Sequence, residues 1–268
     1  MSIPKIIHYC WFGGKPLPEK DKKCIESWKA KCPGYKIIEW NERNYNVNKN
    51  SYMLEAYNEK KWGFVPDFAR LDIIYTYGGI YLDTDVELLR SLDTLLDQHG
   101  FMGFESKNAV APGLIIASEP NNKLIKNIID NVYKGRHFLR TDGTIDITAS
   151  PKLVTDYLIS VGLECNNKIQ MIDEFIIYPS EYFCPKDYIT GEICITSNTY
   201  SIHHYNASWK NNREKNIYLI EQKIANQFAV NRLHYLRKNL LWKCFSVVYT
   251  KGLKYCFVRL LKYKFSER

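Results

Sequence analysis

The chain has 268 residues, 46% of them hydrophobic, and a formal net charge of +8. This is enough apolar material for a buried core in one large domain or two small ones. Residues 1–5 provide no basic start, and no run of about 18 apolar residues follows. The sequence therefore predicts a cytosolic protein with neither a signal peptide nor a membrane-spanning helix.

The positive charge is concentrated near the end of the chain. Residues 229–268 contain ten Lys and Arg against one acid, whereas the remaining residues contain 27 basic and 28 acidic side chains. An enzyme of nucleic acids usually carries its basic surface on the catalytic body, beside the site. We therefore expect no nucleic-acid partner. The alternative, nucleic-acid binding by the basic tail, would show as salt-dependent binding.

The first 40 residues predict a strand, a helix and a second strand. Residues 5–12 are apolar and indicate a buried strand that ends at Gly13-Gly14. A helix over 19–31 follows, and residues 35–40 indicate the next strand. A strand, helix and strand at this spacing form a parallel βαβ unit.

The segment from 66 to 89 has the clearest signals. Pro66 and Asp67 favour a helix start, and Gly78-Gly79 favours its end. Residues 80–82 then form a short apolar strand that runs directly into Asp83-Thr84-Asp85.

The rest of the chain predicts an α/β body over 1–210 and a basic helical segment over 211–268. The further predicted strands are 101–104, 114–117, 168–172 and 200–205, and the further helices are 121–133 and 151–161. In residues 229–268 apolar residues recur at helical spacing with Lys and Arg between them. This pattern suits an anionic membrane surface, and the alternative is a helical hairpin packed on the body.

Asp83 and Asp85 follow a buried strand, at the edge where open α/β sheets bind ligands. Two carboxylates one residue apart repel each other unless a cation neutralises them, and hard oxygen ligands suit Mg²⁺ or Mn²⁺. The alternative is a polar turn after a strand. Asp67 and Arg70 share one face of the preceding helix, where a surface salt bridge is the alternative to a ligand site.

Two segments resemble a known family. The runs 67–71 and 77–85 resemble the signature of glycosyltransferase family 32, and residues 3–13 resemble its opening strand. That family includes bacterial capsular-polysaccharide enzymes and yeast mannosyltransferases, and it is related to the glucosylating domains of clostridial toxins.

The resemblance implies a GT-A type fold, a Rossmann-like mixed sheet flanked by helices, and transfer with retention of anomeric configuration. It implies that Asp67 and Arg70 hold hydroxyls of the donor sugar, that Asp83 contacts sugar or ribose, and that Asp85 binds the metal. It further implies that Trp11 stacks on the nucleotide base, for which a core tryptophan is the alternative. His8 and Tyr81 are the other donor-binding candidates.

The third metal ligand is expected from residues 201–209, which resemble a late H-x-x-x-S-W segment of related enzymes. A strand would point His203 and His204 to opposite faces, so that one of them reaches the metal. We favour His204, because a histidine followed by an aromatic residue is the usual pattern in comparable transferases. Ser208 and Trp209 are expected at the diphosphate of the donor.

These features predict a metal-dependent transferase that uses Mn²⁺ or Mg²⁺ and a UDP-linked hexose or N-acetylhexosamine. The expected acceptor is a glycan, in particular a lipid-linked oligosaccharide of capsule or O-antigen assembly at the inner face of the cytoplasmic membrane. The alternative is a catalytically silent sugar- or lipid-binding protein with the same fold. The intact D-x-D and Arg70 count against that alternative.

Overall fold

The computed structural model describes residues 2–206. The elements below lie in one compact unit, which among the described residues comprises 2–187 and 193–206. The strands are β1 (Ile6–Cys10), β2 (Lys36–Trp40), β3 (Gly79–Tyr81), β4 (Val86–Leu88), β5 (Gly100–Ser106), β6 (Ala109–Val110), β7 (Ile116–Ser118), β8 (Gln170–Ile172), β9 (Phe175–Tyr178) and β10 (Ser201–His203). The helices are α1 (Glu19–Lys31), α2 (Ser51–Asn58), α3 (Pro66–Tyr77), α4 (Lys123–Ile128), α5 (Ser150–Ser160) and α6 (Ser180–Phe183).

A mixed sheet lies at the centre of the fold. Its strand order is β2-β1-β3-β7-β5-β9-β8, with β6 paired to β5. Strand β1 is parallel to both β2 and β3, so β1, α1 and β2 form the predicted parallel unit. Strand β7 is antiparallel to both β3 and β5, and β5 is parallel to β9. The prediction of an α/β fold, with a mixed sheet flanked by helices, is confirmed.

Alternate side chains of the central strands enter two different cores, as the twofold period of a strand requires. In β3, Tyr81 belongs to a core cluster that includes side chains of α2, α3, α4 and α5, whereas Ile80 belongs to a second cluster that includes side chains of α1, β4 and α6. Both residues are fully buried. The sheet is therefore apolar on both faces, and only its strand ends and loops are left for polar ligands.

The double glycine between α3 and β3 is required by close backbone contacts. Gly78 ends the helix with a φ of 64°, and Gly79 follows with a φ of 92°. A Cβ on Gly79 would lie 2.7 Å from the Ile6 carbonyl oxygen, and one on Gly78 would lie 2.8 Å from the backbone nitrogen of Pro120. Only glycine adopts these angles without strain and admits this approach. The pair sets the path from α3 into β3 and so positions Asp83.

His8 lies inside the protein, which differs from its expected role in donor binding. Its side chain is fully buried. The ring Nε2 donates to the Gly78 carbonyl at 3.0 Å, and Nδ1 accepts from Trp40 Nε1 at 3.0 Å. Both ring nitrogens are therefore used within the fold, because β1 is a central strand and this face of it lies beneath α3. The residue ties β1, β2 and the end of α3 together.

Replacing His8 with Gln should reduce the acid sensitivity of the fold. Burial lowers the pKa of His8 to about 4 from its usual 6.5. In the unfolded chain His8 therefore binds a proton below pH 6.5, whereas in the folded chain it binds one only near pH 4. The free energy of unfolding consequently falls as the pH falls from 6.5 to about 4. Between pH 7 and pH 5 this residue costs the wild type about 2 kcal/mol of unfolding free energy.

Gln retains an acceptor for Trp40 and a donor for Gly78 but does not titrate. Urea unfolding at pH 7 and pH 5 should show a smaller loss of stability in His8→Gln than in wild type. An equal loss of unfolding free energy between pH 7 and pH 5 in wild type and His8→Gln would contradict the view that buried His8 causes the acid sensitivity.

Several elements were absent from the sequence prediction. Helix α2 and strands β4 and β9 are short, and their apolar residues show no long periodic pattern. The strand expected over 114–117 begins instead at Ile116. In the part of the chain that the structure describes, no helix has the length and apolar character needed to cross a membrane. The domain boundary at 210, the helical segment 211–268, Ser208 and Trp209 lie outside the described residues.

Candidate active site

Arg70 links two acidic residues at the carboxyl end of β3. Its Nη2 lies 3.2 Å from Asp67 Oδ1, one turn earlier on α3, and 3.4 Å from Asp83 Oδ1. The guanidinium also lies over the ring of Tyr81, 5.2 Å from its centroid, and the Tyr81 hydroxyl donates to Asp83 Oδ1 at 3.0 Å. The predicted pair Asp67 and Arg70 is thus joined to the first aspartate of the D-x-D motif, and is not a surface salt bridge.

This network is buried at one end and open at the other. The side chains of Asp67 and Arg70 are each 5% exposed, whereas that of Asp83 is 31% exposed. Burial raises the pKa of Asp67 to about 7, although Arg70 opposes the rise. Arg70 Nε is buried and has no hydrogen-bond partner within residues 2–206. A buried donor without a partner is costly, so a ligand oxygen at this position would be favourable.

A glycine closes over this network. The amide of Asp83 donates to the Gly113 carbonyl at 2.9 Å. A Cβ on Gly113 would overlap the Asp83 carboxylate and lie 2.6 Å from Arg70 Nη1. The loop before β7 can therefore approach the charged groups this closely only because residue 113 has no side chain.

Asp83, Asp85 and His203 form a second cluster beside the first. Each offers one ligand atom, and these three atoms lie within 4.8 Å of one another. His203 comes from β10, which pairs antiparallel with β4 so that His203 stands opposite Val86. Its Nε2 lies 3.2 Å from Asp85 Oδ1, and both side chains are 13% exposed.

The two residues of this pair shift each other's titration. Burial raises the pKa of Asp85, but His203 and hydrogen bonds to the carboxylate outweigh that effect, so the pKa is lowered. Burial lowers the pKa of His203, and Asp85 outweighs it, so the pKa is raised. Two carboxylates and one imidazole are a donor set that suits Mn²⁺ well and Mg²⁺ adequately. The residues present therefore fit a divalent cation, whose binding would displace the proton from His203.

His204, which the sequence argument favoured as the metal ligand, points elsewhere. Its Nε2 lies 2.8 Å from Glu87 Oε2, while its backbone amide donates to the Asp85 carbonyl at 3.0 Å. The two histidines do contact different acids, although β10 ends at His203 and His204 lies just beyond it. Pairing with β4 decides which side meets the aspartates, and that side carries His203.

Hydrogen bonds from neighbouring segments hold the D-x-D loop. The Asn206 amide donates to Asp85 Oδ2 at 2.8 Å, and its side-chain amide donates to Asp21 Oδ1 at 2.9 Å. Asp21 lies on α1, is fully buried, and accepts from Thr84 Oγ1 at 3.3 Å. Such supporting contacts orient metal ligands and set their basicity.

Trp11 lies at the end of β1, beyond its last residue, and is partly buried. Its amide donates to the Trp40 carbonyl at 2.8 Å, and its ring packs in part against the core on the α1 face of the sheet. This position, at the same sheet edge as Asp83, leaves part of the ring accessible for stacking. The roles of Trp11 and Tyr81 in donor binding stay predictions.

Three residues of the site were missed by sequence reasoning. Tyr52 on α2 donates to Asp67 Oδ2 at 3.4 Å, and the ring of Tyr133 packs edge-on against the ring of Tyr52. Neither tyrosine lies near a recognisable motif. Asp21 occupies an ordinary position in the first turn of α1, where an acid is explained by the helix dipole.

A family model described as "Glycosyltransferase sugar-binding region containing DXD motif" matches residues 18–102. This range includes α3, β3 and the D-x-D segment.

Several known proteins are similar to this chain. An uncharacterized glycosyltransferase of Acanthamoeba polyphaga mimivirus is 30% identical over 74% of this chain and 83% of its own length. Inositol phosphoceramide mannosyltransferase 1 of Schizosaccharomyces pombe is 22% identical over 71% of this chain and 62% of its own. The solved PaToxG glycosyltransferase is 20% identical, with a TM-score of 0.47 over 59% of this chain and 69% of that one. With its site and its relatives taken together, the chain belongs to the glycosyltransferases with a DXD-containing sugar-binding region, of the family 32 type.

Proposed function

We propose that this glycosyltransferase moves a hexose or N-acetylhexosamine from a UDP-linked donor to a glycan acceptor, with a divalent cation and with retention of configuration. The observation that carries the proposal is the junction of two clusters at Asp83. On one side, Asp67 and Arg70 offer a carboxylate and a guanidinium edge to sugar hydroxyls. On the other side, Asp85 and His203 complete a set of cation ligands.

Asp83, Asp85 and His203 would hold the cation, which acts as a Lewis acid on the departing diphosphate when bound. Arg70 contributes a second fixed positive charge, because its guanidinium is held between two carboxylates and over the Tyr81 ring. Preorganised charges of this kind stabilise a leaving group without reorganising during the reaction. Asp67 orients the sugar by accepting hydrogen bonds from its hydroxyls.

Retention is proposed to arise from front-side attack. The bond from the acceptor oxygen to the anomeric carbon forms on the face from which the diphosphate leaves, and a diphosphate oxygen takes the acceptor proton. A double displacement would instead need a carboxylate nucleophile on the opposite face of the sugar. Asp67 and Asp83 are both engaged by Arg70, which makes them poor nucleophiles.

The relatives bear on the choice of donor and acceptor. Proteins named inositol phosphoceramide mannosyltransferase are among them, so transfer of a sugar to the polar headgroup of a lipid has precedent. We propose a lipid-linked oligosaccharide as the acceptor, as in capsule or O-antigen assembly. The same names make a mannose donor the first to compare with the UDP-sugars.

A lipid-linked acceptor would place the enzyme at the inner face of the cytoplasmic membrane. The support for this is the basic composition of residues 229–268, with ten Lys and Arg against one acid. Cationic segments of this kind bind anionic lipid surfaces by about 1 kcal/mol per charge near the surface. The proposal is therefore a peripheral, cytoplasmic enzyme.

The test is a panel of UDP-glucose, UDP-galactose, UDP-N-acetylglucosamine and GDP-mannose, each with and without Mn²⁺. We expect Mn²⁺-dependent binding and slow hydrolysis of one UDP-sugar, since water can replace a missing acceptor. Chelation by EDTA should abolish the turnover and added Mn²⁺ should restore it. Binding of no nucleotide sugar under any metal condition would overturn the proposal and favour a silent binding protein.

A further inference from the structure

Glu105 is a half-buried carboxylate at the carboxyl end of β5. The register of β5 against β6 shifts between Phe104 and Ser106, so Glu105 occupies a bulge. A bulge re-aims a side chain relative to the regular alternation of the strand, and bulges are frequent beside active sites. Strand β5 ends at the same edge of the sheet as β3, because both are antiparallel to β7.

The carboxylate of Glu105 lies near enough to the site to interact with two of its residues. It interacts electrostatically with His203 and with Asp83, and burial raises its pKa. Asp67 and Arg70 reach Asp83 from α3, which packs on β1, β3 and β7. Glu105 approaches from β5, beyond β7 in the sheet order. Glu105 therefore reaches the site from a different element than Asp67 and Arg70, the pair proposed to hold the donor sugar.

Glu105 could serve as a cation ligand or as a structural carboxylate held by a hydrogen bond or an ion pair, and the contacts present support neither role. It is not one of the grouped cation ligands, which among the described residues are Asp83, Asp85 and His203. Its carboxylate also has no hydrogen bond and no ion pair within 4.0 Å among residues 2–206. The other carboxylates near the loop have such partners: Asp21 binds Thr84 and Asn206, and Asp67 binds Arg70.

A partly buried carboxylate without a partner has lost much of its hydration and gained no hydrogen bond in return. A substrate hydroxyl would supply the missing donor. Arg70 and Asp67 serve the donor sugar in the proposed function, and the diphosphate lies with Asp85 and His203. The hydroxyl left without a protein partner is the one that attacks the anomeric carbon.

We propose that Glu105 accepts a hydrogen bond from the attacking hydroxyl, of the acceptor glycan in transfer and of water in donor hydrolysis. This rests on the proposed function. The residue orients the nucleophile, and its charge polarises the O–H bond whose proton passes to the diphosphate. Charge-assisted hydrogen bonds are about twice as strong as neutral ones, so Gln should replace Glu only in part.

The experiment compares Glu105→Gln and Glu105→Ala in Mn²⁺-dependent hydrolysis of the donor that wild type turns over, with water as the nucleophile. We expect kcat to fall about 10-fold in Glu105→Gln and about 100-fold in Glu105→Ala. The Kd of UDP and of Mn²⁺ should stay within about 3-fold of wild type, since neither contacts Glu105. Circular dichroism of the isosteric Gln variant establishes that it is folded.

Glu119→Gln is the matched control, because Glu119 follows β7 at the opposite edge of the sheet and pairs with His99 at 2.8 Å. An unchanged kcat in both Glu105 variants would overturn the inference while leaving the proposed function in place. A loss of Mn²⁺ affinity as large as the loss of kcat would also overturn it, by making Glu105 part of the cation site. Absence of donor turnover in wild type would instead refute the proposed function itself.

Discussion

Asp85→Asn should lose donor turnover by about 10³-fold, equivalent to about 4 kcal/mol of transition-state stabilisation. The substitution preserves the shape of the side chain but removes a charge from the cluster of Asp83, Asp85 and His203. It also removes the anionic partner of His203, which lies 3.2 Å away. Mn²⁺ affinity, measured by titration calorimetry, should fall at least 10-fold, whereas an oxygen of the amide can still accept from Asn206.

Two adjacent histidines provide a control of the same residue type. His203→Ala should weaken Mn²⁺ by about 10- to 100-fold, and His204→Ala should leave it within about 3-fold, because His204 binds Glu87 instead. Thermal unfolding of all three variants separates loss of the cation from loss of the fold. Equal Mn²⁺ affinity in wild type and Asp85→Asn, or a larger effect from His204→Ala than from His203→Ala, would refute this cation site.

Gly113→Ala should reduce turnover by about 100-fold, although glycine is replaced by the smallest side chain. The added Cβ would overlap the Asp83 carboxylate and lie 2.6 Å from Arg70 Nη1. Either the loop or the pair must move, and displacement of catalytic groups by about 1 Å costs about 100-fold in rate. Overpacking at this buried position should also cost about 1–3 kcal/mol of unfolding free energy.

Gly34→Ala is the control, because nothing lies within 4 Å of a Cβ at that position. Its unfolding free energy should stay within about 0.5 kcal/mol of wild type and its turnover should be unchanged. Steady-state hydrolysis of the donor measures turnover, and urea unfolding measures the free energy of unfolding. Both quantities should change in Gly113→Ala and neither should change in Gly34→Ala. A Gly113→Ala protein with wild-type turnover would show that the loop before β7 adapts freely and does not hold the pair in place.

The part of the site carried by consecutive residues could be predicted from the sequence. Pro66, the double glycine and the D-x-D motif lie within 20 residues, and each local signal has one physical meaning: a helix start, a helix end and a strand end. The structure places Asp67, Arg70 and Asp83 together as that order implies. Local geometry was sufficient here because a helix and the strand after it leave few ways to arrange these side chains.

His8 is placed differently from its expected role. It was a donor-binding candidate beside the family resemblance, but β1 is an interior strand of the sheet, and the His8 side chain is buried beneath α3. The sequence cannot distinguish a buried histidine with two internal partners from one at a site, because both occur on apolar strands. Glu105 is the converse case, since it follows the strand predicted over 101–104 and comes near Asp83 and His203 only through the order β3-β7-β5.

The sequence by itself determined the α/β class, the family and the edge of the sheet that carries the D-x-D motif, because periodicity, glycine positions and that motif act over short distances. The tertiary structure decided which residues join that edge from far along the chain. Strand β10 pairs with β4 in one register, and a shift by one residue would exchange His203 for His204 at the aspartates. Strand pairing and loop approach are set by packing between distant segments, and no local pattern of residues encodes them.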